Sequence, residues 1–97
     1  MSDAQTSSSS TPAITFYGAD WCSDSRRSRR LLDGLAVAYD FVDLDQDEVA
    51  SDFVREHARG HRTTPTIVVG ADGPILVEPS DDDLLAALRD RGFVTAA

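Results

Sequence analysis

The fold is decided by residues 14–25, which read Ile14-Thr15-Phe16-Tyr17-Gly18-Ala19-Asp20-Trp21-Cys22-Ser23-Asp24-Ser25. An apolar run typical of a β-strand ends in a glycine turn, and a helical pattern begins just after Cys22, the only cysteine. The N-terminus of a helix carries partial positive charge and free backbone N–H groups, so a sulfur placed there is stabilised as the thiolate. Ser25 lies one helical turn further on and on the same face. Its hydroxyl can donate a hydrogen bond to a thiolate but cannot form a disulfide.

The segments around this stretch predict a βαβ unit. The first strand is expected from Ala13 to Tyr17. The helix is expected from Ser23 to about Leu35, with one face formed by Ser25, Ser28, Leu32 and Leu35. A second strand is expected around the apolar residues Tyr39, Phe41, Val42 and Leu44. A helix between two strands makes them parallel, and the crossover should be right-handed.

The remaining segments predict a second helix, a hairpin and a third helix. Asp45, followed by Glu48, is typical of a helix N-cap, and Gly60 is typical of a helix end. The side chains at helical spacing between them are Val49, Phe53 and His57. Residues 66–69 and 75–77 flank an Asp-Gly turn, so they should pair as antiparallel strands.

The third helix should be capped by Ser80 and Asp83 and should end at Gly92. Its predicted core residues are Leu84, Leu85 and Leu88. The element order is therefore βαβαββα. It predicts an α/β fold with a four-stranded mixed sheet flanked by three helices.

Composition limits the domain organisation and the kinds of partner. The chain has 97 residues and a formal net charge of −8. Residues 1–11 are rich in Ser and Thr and are predicted to form a disordered tail, and residues 12–95 should form one small domain. The negative charge argues against nucleic-acid binding, and no apolar run reaches membrane-spanning length. One cysteine cannot form an intrachain disulfide, so a reducing cytoplasm is the expected compartment.

A second motif, together with the cysteine, resembles a known family. Residues 62–66 read Arg62-Thr63-Thr64-Pro65-Thr66 and stand directly before the third predicted strand. A βαβ half followed by a ββα half, with a cysteine after the first strand, resembles the thioredoxin fold. Within that fold the chain is most similar to small glutaredoxins, especially the actinobacterial mycoredoxins. The shared motifs are Trp21-Cys22, Arg62-Thr63-x-Pro65, Asp72-Gly73 and Pro79-Ser80. The resemblance covers residues 13–93 and implies that Pro65 is cis and lies beside Cys22.

The sequence departs from the family pattern at two places. The usual Cys-x-x-Cys motif is replaced by Cys22-Ser23-Asp24-Ser25, which also differs from the Cys-Gly-Phe-Ser motif of monothiol glutaredoxins. Many glutaredoxins carry a Gly-Gly pair after the hairpin, where glutathione binds, and this chain has Val77-Glu78-Pro79-Ser80 there. Glutathione is therefore in doubt as the natural thiol.

These observations give a set of candidate site residues. The predicted catalytic residues are Cys22 and Ser25, and the predicted thiol-binding residues are Trp21, Arg26, Arg62, Thr64, Pro65, Ser80 and Asp81. Arg26 should lower the pKa of the Cys22 thiol, and the carboxylates of Asp20 and Asp24 should raise it. Trp21 is either an exposed aromatic wall beside the thiol or a simple cover over the turn. The two histidines have no cysteine or carboxylate at metal-ligand spacing, so no metal site is expected.

Three functional hypotheses remain open at this point. The first is a monothiol oxidoreductase that reduces mixed disulfides between proteins and a low-molecular-weight thiol, such as mycothiol or glutathione, through Cys22. It needs no cofactor beyond that thiol, and the chain is expected to act as a cytoplasmic monomer. The second is an iron–sulfur carrier in which two chains each supply one cysteine. The third is a redox-inactive binding module that has kept the scaffold.

Overall fold

The computed structural model of this chain describes residues 13–58, 60, 63–71 and 73–94. They form, in order, β1 (Ile14–Gly18), α1 (Ser23–Gly34), β2 (Asp40–Asp43), α2 (Glu48–His57), β3 (Thr66–Val69), β4 (Ile75–Val77) and α3 (Asp81–Asp90). This is the predicted order of elements. The tail predicted for residues 1–11 lies outside the described residues, so the division into tail and domain stays a prediction. None of the helices formed by the described residues has the length and apolar character needed to span a bilayer.

The four strands form one mixed sheet in the order β2-β1-β3-β4. β1 pairs with β2 in parallel, and Phe16 lies opposite Phe41. β1 pairs with β3 in antiparallel fashion, and so does β3 with β4. The predicted directions are confirmed: a helical crossover joins the parallel pair and a short turn joins the hairpin. The first strand therefore occupies the middle of the sheet, and its carboxyl end carries the segment with Cys22.

Side chains alternate between the two faces of β1, and each face has its own apolar cluster. Ile14 and Phe16 are fully buried with residues of α1 and α3, in a cluster completed by Leu32, Ile67, Val69, Leu84 and Leu88. Tyr17 packs on the opposite face against the α2 cluster of Leu44, Ala50, Val54 and Ala58. Period-two alternation places successive strand residues on opposite faces. The sheet is thus covered by α1 and α3 on one side and by α2 on the other.

The start of α2 corrects the predicted helix cap. Asp47, and not Asp45, is the N-cap, because its extended backbone precedes Glu48 and its side chain accepts a hydrogen bond from Ala50 N. Residues 44–46 form a turn first, closed by a hydrogen bond from Gln46 N to Asp43 O at 3.0 Å. This turn moves the helix start two residues further along the chain.

Two apolar side chains also differ from the helical pattern. The later start of α2 buries Ala50, Ser51 and Val54, and it leaves Val49 80% exposed. Leu35 follows the last residue of α1 as its C-cap and is 37% exposed, so it does not share the buried face of Ser25, Ser28 and Leu32. On α3, Leu84 and Leu88 are buried and Leu85 is half-buried.

Candidate active site

The turn from β1 into α1 brings the buried face of the helix against the end of the strand. Gly18 makes this close approach possible, because a Cβ atom there would lie 2.8 Å from Phe16 Cε1 and 2.8 Å from Ser25 Oγ. Ser25 is fully buried, and its Oγ accepts a hydrogen bond from Ala19 N at 3.4 Å. Glycine at this position thus fixes how closely the first turn of α1 packs against the sheet.

Cys22 is the N-cap residue of α1 and lies against the loop before β3. Its backbone is extended, with φ −82° and ψ 122°. The Thr64 hydroxyl donates a hydrogen bond to Cys22 Sγ at 3.2 Å, and the Thr64 carbonyl oxygen lies 3.8 Å from the same sulfur. The thiol is free and only partly buried. The sulfur can therefore be reached from solvent while a hydroxyl stabilises its anion.

The pKa of the Cys22 thiol is lowered from its ordinary value, as the sequence predicts. Burial acts in the opposite direction and raises it, but hydrogen bonds outweigh burial. These bonds come from the Thr64 hydroxyl, from the backbone and hydroxyl of Ser25 and from the backbone N–H of Asp24. Hydrogen bonding to the charged form favours that form. The N-terminus of α1 and Thr64 together therefore favour the thiolate.

The loop before β3 is held by the end of β4. The Thr64–Pro65 peptide bond is cis, as the resemblance implies. The Pro65 carbonyl oxygen accepts a hydrogen bond from Glu78 N at 2.8 Å. Glu78 has a left-handed backbone with φ 50°. A hydrogen bond thus connects the segment after β4 to Pro65, and Thr64, the residue before Pro65, contacts the sulfur.

Trp21 and Arg26 lie beside Cys22 in the chain but make contacts of their own. The Trp21 side chain is 66% exposed, and its Nε1 donates a hydrogen bond to Asp45 Oδ2 at 2.7 Å. This bond joins the turn before α1 to the turn before α2. Arg26 Nη1 donates to the Asp20 carbonyl oxygen at 3.0 Å. A contribution of Arg26 to the thiol pKa stays a prediction.

Ser80 and Asp81 stand at the start of α3, where the structure gives each of them a partner. Ser80 Oγ accepts a hydrogen bond from Asp83 N at 3.1 Å, which confirms it as the N-cap. Asp81 Oδ1 lies 3.4 Å from Arg27 Nε. Arg27 also donates to the Pro79 carbonyl oxygen at 3.3 Å and to Asp24 Oδ1 at 3.1 Å. Arg27 therefore connects α1 to the start of α3.

The structure brings Cys22, Ser25, Thr64 and Pro65 together, and Arg62 lies outside the described residues. Sequence reasoning names Gly18 as a turn residue and Glu78 as a departure from the family pattern, but it predicts neither the close packing at Gly18 nor the contacts of Arg27 and Glu78. For Glu78 a signal existed, because it stands where many glutaredoxins have glycine. For Gly18 and Arg27 the contacts are tertiary and leave no local pattern. Among the residues that the structure describes, no group of histidine, cysteine and carboxylate side chains could hold a metal ion.

Comparison with known proteins agrees with this geometry. The glutaredoxin family model matches residues 14–73. The chain belongs to the glutaredoxin family. It is 38% identical over 78 residues to a Mycobacterium tuberculosis protein whose name places it among the glutaredoxins, with 80% of this chain and 92% of the relative covered. It is 35% identical over 76 residues to mycoredoxin 1 of Corynebacterium glutamicum, with 78% and 92% covered.

The fold agrees with the same family. The structure of a glutaredoxin from Archaeoglobus fulgidus superposes with a TM-score of 0.69 at 17% identity, covering 80% of this chain and 87% of that one. Glutaredoxins are thiol–disulfide oxidoreductases, and the site has the chemistry that this activity requires. A thiolate is the nucleophile that attacks a disulfide. In this chain Cys22 carries the thiol whose pKa is lowered.

Proposed function

We propose that this chain reduces mixed disulfides between proteins and a low-molecular-weight thiol by a monothiol cycle. One observation carries the proposal: the only cysteine of the sequence is accessible at the start of α1, with a lowered thiol pKa and a hydroxyl 3.2 Å from its sulfur. A dithiol cycle would need a second cysteine, and residue 25 is serine. The small thiol must therefore complete the reaction itself.

The proposed cycle has two exchange steps. In the first, the Cys22 thiolate attacks the small-thiol sulfur of the mixed disulfide. A bond forms between Cys22 and the small thiol, the original disulfide breaks, and the protein leaves as a thiolate that takes up a proton. In the second, a second small-thiol thiolate attacks the small-thiol sulfur held on Cys22. The disulfide of the two small thiols leaves, and Cys22 returns as the thiolate. The two electrons come from the small thiols.

The candidate residues have distinct proposed roles in this cycle. Ser25 and Thr64 stabilise the thiolate, both as attacking group and as leaving group. Pro65 holds the Thr64 backbone so that an extended substrate can pair with it. Trp21, Arg26, Arg62, Ser80 and Asp81 are proposed to surround the small-thiol half. Because mycoredoxin 1 is among the relatives, we propose mycothiol as the first thiol to test. We place the reaction in a reducing cytoplasm, with the chain acting as a monomer.

The test is an assay of one peptide that carries a mixed disulfide with either mycothiol or glutathione, with the same thiol supplied as reductant. Cys22→Ser should abolish turnover. Ser25→Ala should only weaken it, because the small thiol and not residue 25 resolves the intermediate. Ser25→Cys should permit an internal disulfide, which competes with the monothiol cycle and need not increase its rate.

Ser28→Ala is the matched control for Ser25→Ala. Both serines are fully buried on α1, but the Ser28 hydroxyl has no hydrogen-bond partner among the described residues. Ser28→Ala should therefore leave the activity unchanged. Turnover that survives in Cys22→Ser would contradict the proposal. The absence of turnover with every small thiol would favour the binding module, and a brown dimer purified without air would favour the iron–sulfur carrier.

A further inference from the structure

Glu78 lies at the end of β4, beside the loop that holds the thiol. Its backbone N–H donates to the Pro65 carbonyl oxygen at 2.8 Å. Thr64, the residue before Pro65, has its hydroxyl 3.2 Å from Cys22 Sγ. Glu78 is therefore hydrogen-bonded to Pro65, and the residue before Pro65 contacts the sulfur.

The backbone of Glu78 has a conformation that usually belongs to glycine. Its φ is 50°, in the left-handed region that residues with a Cβ atom rarely adopt. The segment is anchored on both sides, because Arg27 donates to the carbonyl oxygen of the next residue, Pro79, at 3.3 Å. Departures of this kind concentrate at functional sites. A long acidic side chain at such a position calls for a role beyond the turn itself.

The carboxylate of Glu78 has no ion-pair partner within the part of the chain that the structure describes. Glu78 is exposed to solvent. Arg27, which contacts the neighbouring Pro79, is already engaged with Asp24 and Asp81. The start of α3 adds three more carboxylates, those of residues 81–83. The segment from the end of β4 to the first turn of α3 therefore carries four carboxylates, and one of them, that of Asp81, is paired with Arg27.

We infer that Glu78 selects the small thiol by charge: it disfavours mixed disulfides whose small-thiol half carries a carboxylate and accepts neutral or cationic ones. The inference rests on the proposed function, which places Ser80 and Asp81 around the small-thiol half and so puts that half beside the segment that follows β4. Charges within about 10 Å of each other still interact at ordinary ionic strength. A carboxylate on the small thiol would therefore be repelled during the bond-forming step.

The experiment uses one peptide joined to three small thiols of similar size. The probes are its mixed disulfides with cysteamine, 2-mercaptoethanol and 3-mercaptopropionate, which are cationic, neutral and anionic. The value of kcat/KM is measured for the parent chain, Glu78→Gln and Glu78→Lys. Glu56→Gln is the matched control, because it removes the same charge from an exposed residue of α2, on the other side of the sheet.

The parent chain should turn over the anionic probe more slowly than the neutral one. Glu78→Gln should raise kcat/KM for the anionic probe by about fivefold, which corresponds to about 1 kcal/mol, and should leave the neutral probe within about twofold. Glu78→Lys should make the cationic probe the slowest. Glu56→Gln should change none of these ratios. If the order of the three probes is the same in all four proteins, the inference is wrong while the proposed function stands.

A second measurement separates the inference from the proposed function. Cys22 is alkylated with neutral iodoacetamide and anionic iodoacetate, and the ratio of the two rates is compared between variants at one pH. Glu78→Gln should shift this ratio towards iodoacetate, and Glu56→Gln should not. A shifted ratio in a chain that turns over no disulfide supports the charge effect and rejects the oxidoreductase. An unshifted ratio rejects the charge effect whatever the turnover.

Discussion

At the scale of the residue, the Thr64 hydroxyl is the side-chain group that connects the two halves of the site. Its Oγ1 lies 3.2 Å from Cys22 Sγ, across 42 positions of the sequence. Burial raises the pKa of this thiol, and Thr64 leads the hydrogen bonds that lower it. Arg26, by contrast, donates its Nη1 hydrogen bond to the Asp20 carbonyl oxygen and not to the sulfur. The thiolate therefore depends on oriented hydrogen-bond donors, which are less sensitive to salt than surface charges.

Thr64→Val should raise the pKa of Cys22, because valine has a similar shape but cannot donate a hydrogen bond to the sulfur. Thr64→Ser keeps the hydroxyl and should keep the pKa low. The measurement is the rate of alkylation by iodoacetamide as a function of pH. Neutral iodoacetamide is chosen so that the charge of Glu78 does not enter the comparison. A Thr64→Val midpoint equal to that of the parent chain would show that α1 alone sustains the thiolate.

At the scale of the element, the turn that joins β1 to α1 depends on Gly18, because a side chain there would collide with its neighbours. Gly18→Ala places a Cβ 2.8 Å from Phe16 Cε1 and 2.8 Å from Ser25 Oγ, and both of these residues are fully buried. The variant should lose about 1–3 kcal/mol of the free energy of unfolding, the usual cost of overpacking. It should also slow the alkylation of Cys22, because Ser25 is displaced from the sulfur.

Gly34→Ala is the control for this prediction. Gly34 is the last residue of α1, and a Cβ added there meets nothing within 4 Å. Alanine favours the helix, so this variant should gain up to about 1 kcal/mol. Both values come from urea unfolding followed by circular dichroism. Equal effects of the two substitutions would mean that the close approach at Gly18 does not matter to stability.

The elements themselves were largely predictable from local pattern, and their exact ends were less so. The sequence predicts Ser80 as an N-cap because it directly precedes the helical pattern, and the structure confirms it. The prediction that Asp45 caps α2 was wrong because Asp47, another residue of a type that commonly caps helices, follows two positions later. The choice of Asp47 depends on the turn closed by Gln46 N and Asp43 O, which is set by where β2 ends in the sheet. Pattern alone does not contain that information.

At the scale of the whole molecule, the directions of the strands followed from the lengths of their connections. The meeting of Cys22 with Thr64 did not follow from spacing, and it was expected only from the family resemblance. The contact of Arg27 with Pro79 spans 52 positions and had no signal in the sequence. Such contacts arise when α1 and α3 pack on the same face of the sheet. They could be found only from the assembled fold.

The lowered pKa of Cys22 has a consequence for the stability of the whole molecule. In the unfolded chain the thiol titrates near its ordinary value of about 8.5. Between the lowered pKa of the folded state and that value, the unfolded chain binds more protons than the folded chain. The free energy of unfolding should therefore rise with pH across this window and level off above it. As the pH falls through the folded-state pKa, the contribution is lost.

The difference in unfolding free energy between the parent chain and Cys22→Ser isolates this contribution. It should be constant at low pH, should increase across the window and should become constant again above about 8.5. Tyr17 also titrates. Burial and then Asp40 and Asp47 raise its pKa, so it titrates above the window and equally in both proteins. The measurement is urea unfolding under a reductant at a series of pH values. In the Thr64→Val background the rise should shrink, because the folded and unfolded pKa values of Cys22 then lie closer together. A difference that stays flat through the whole range would mean that folding does not favour the thiolate, and the activated nucleophile on which the proposed cycle depends would have to be given up.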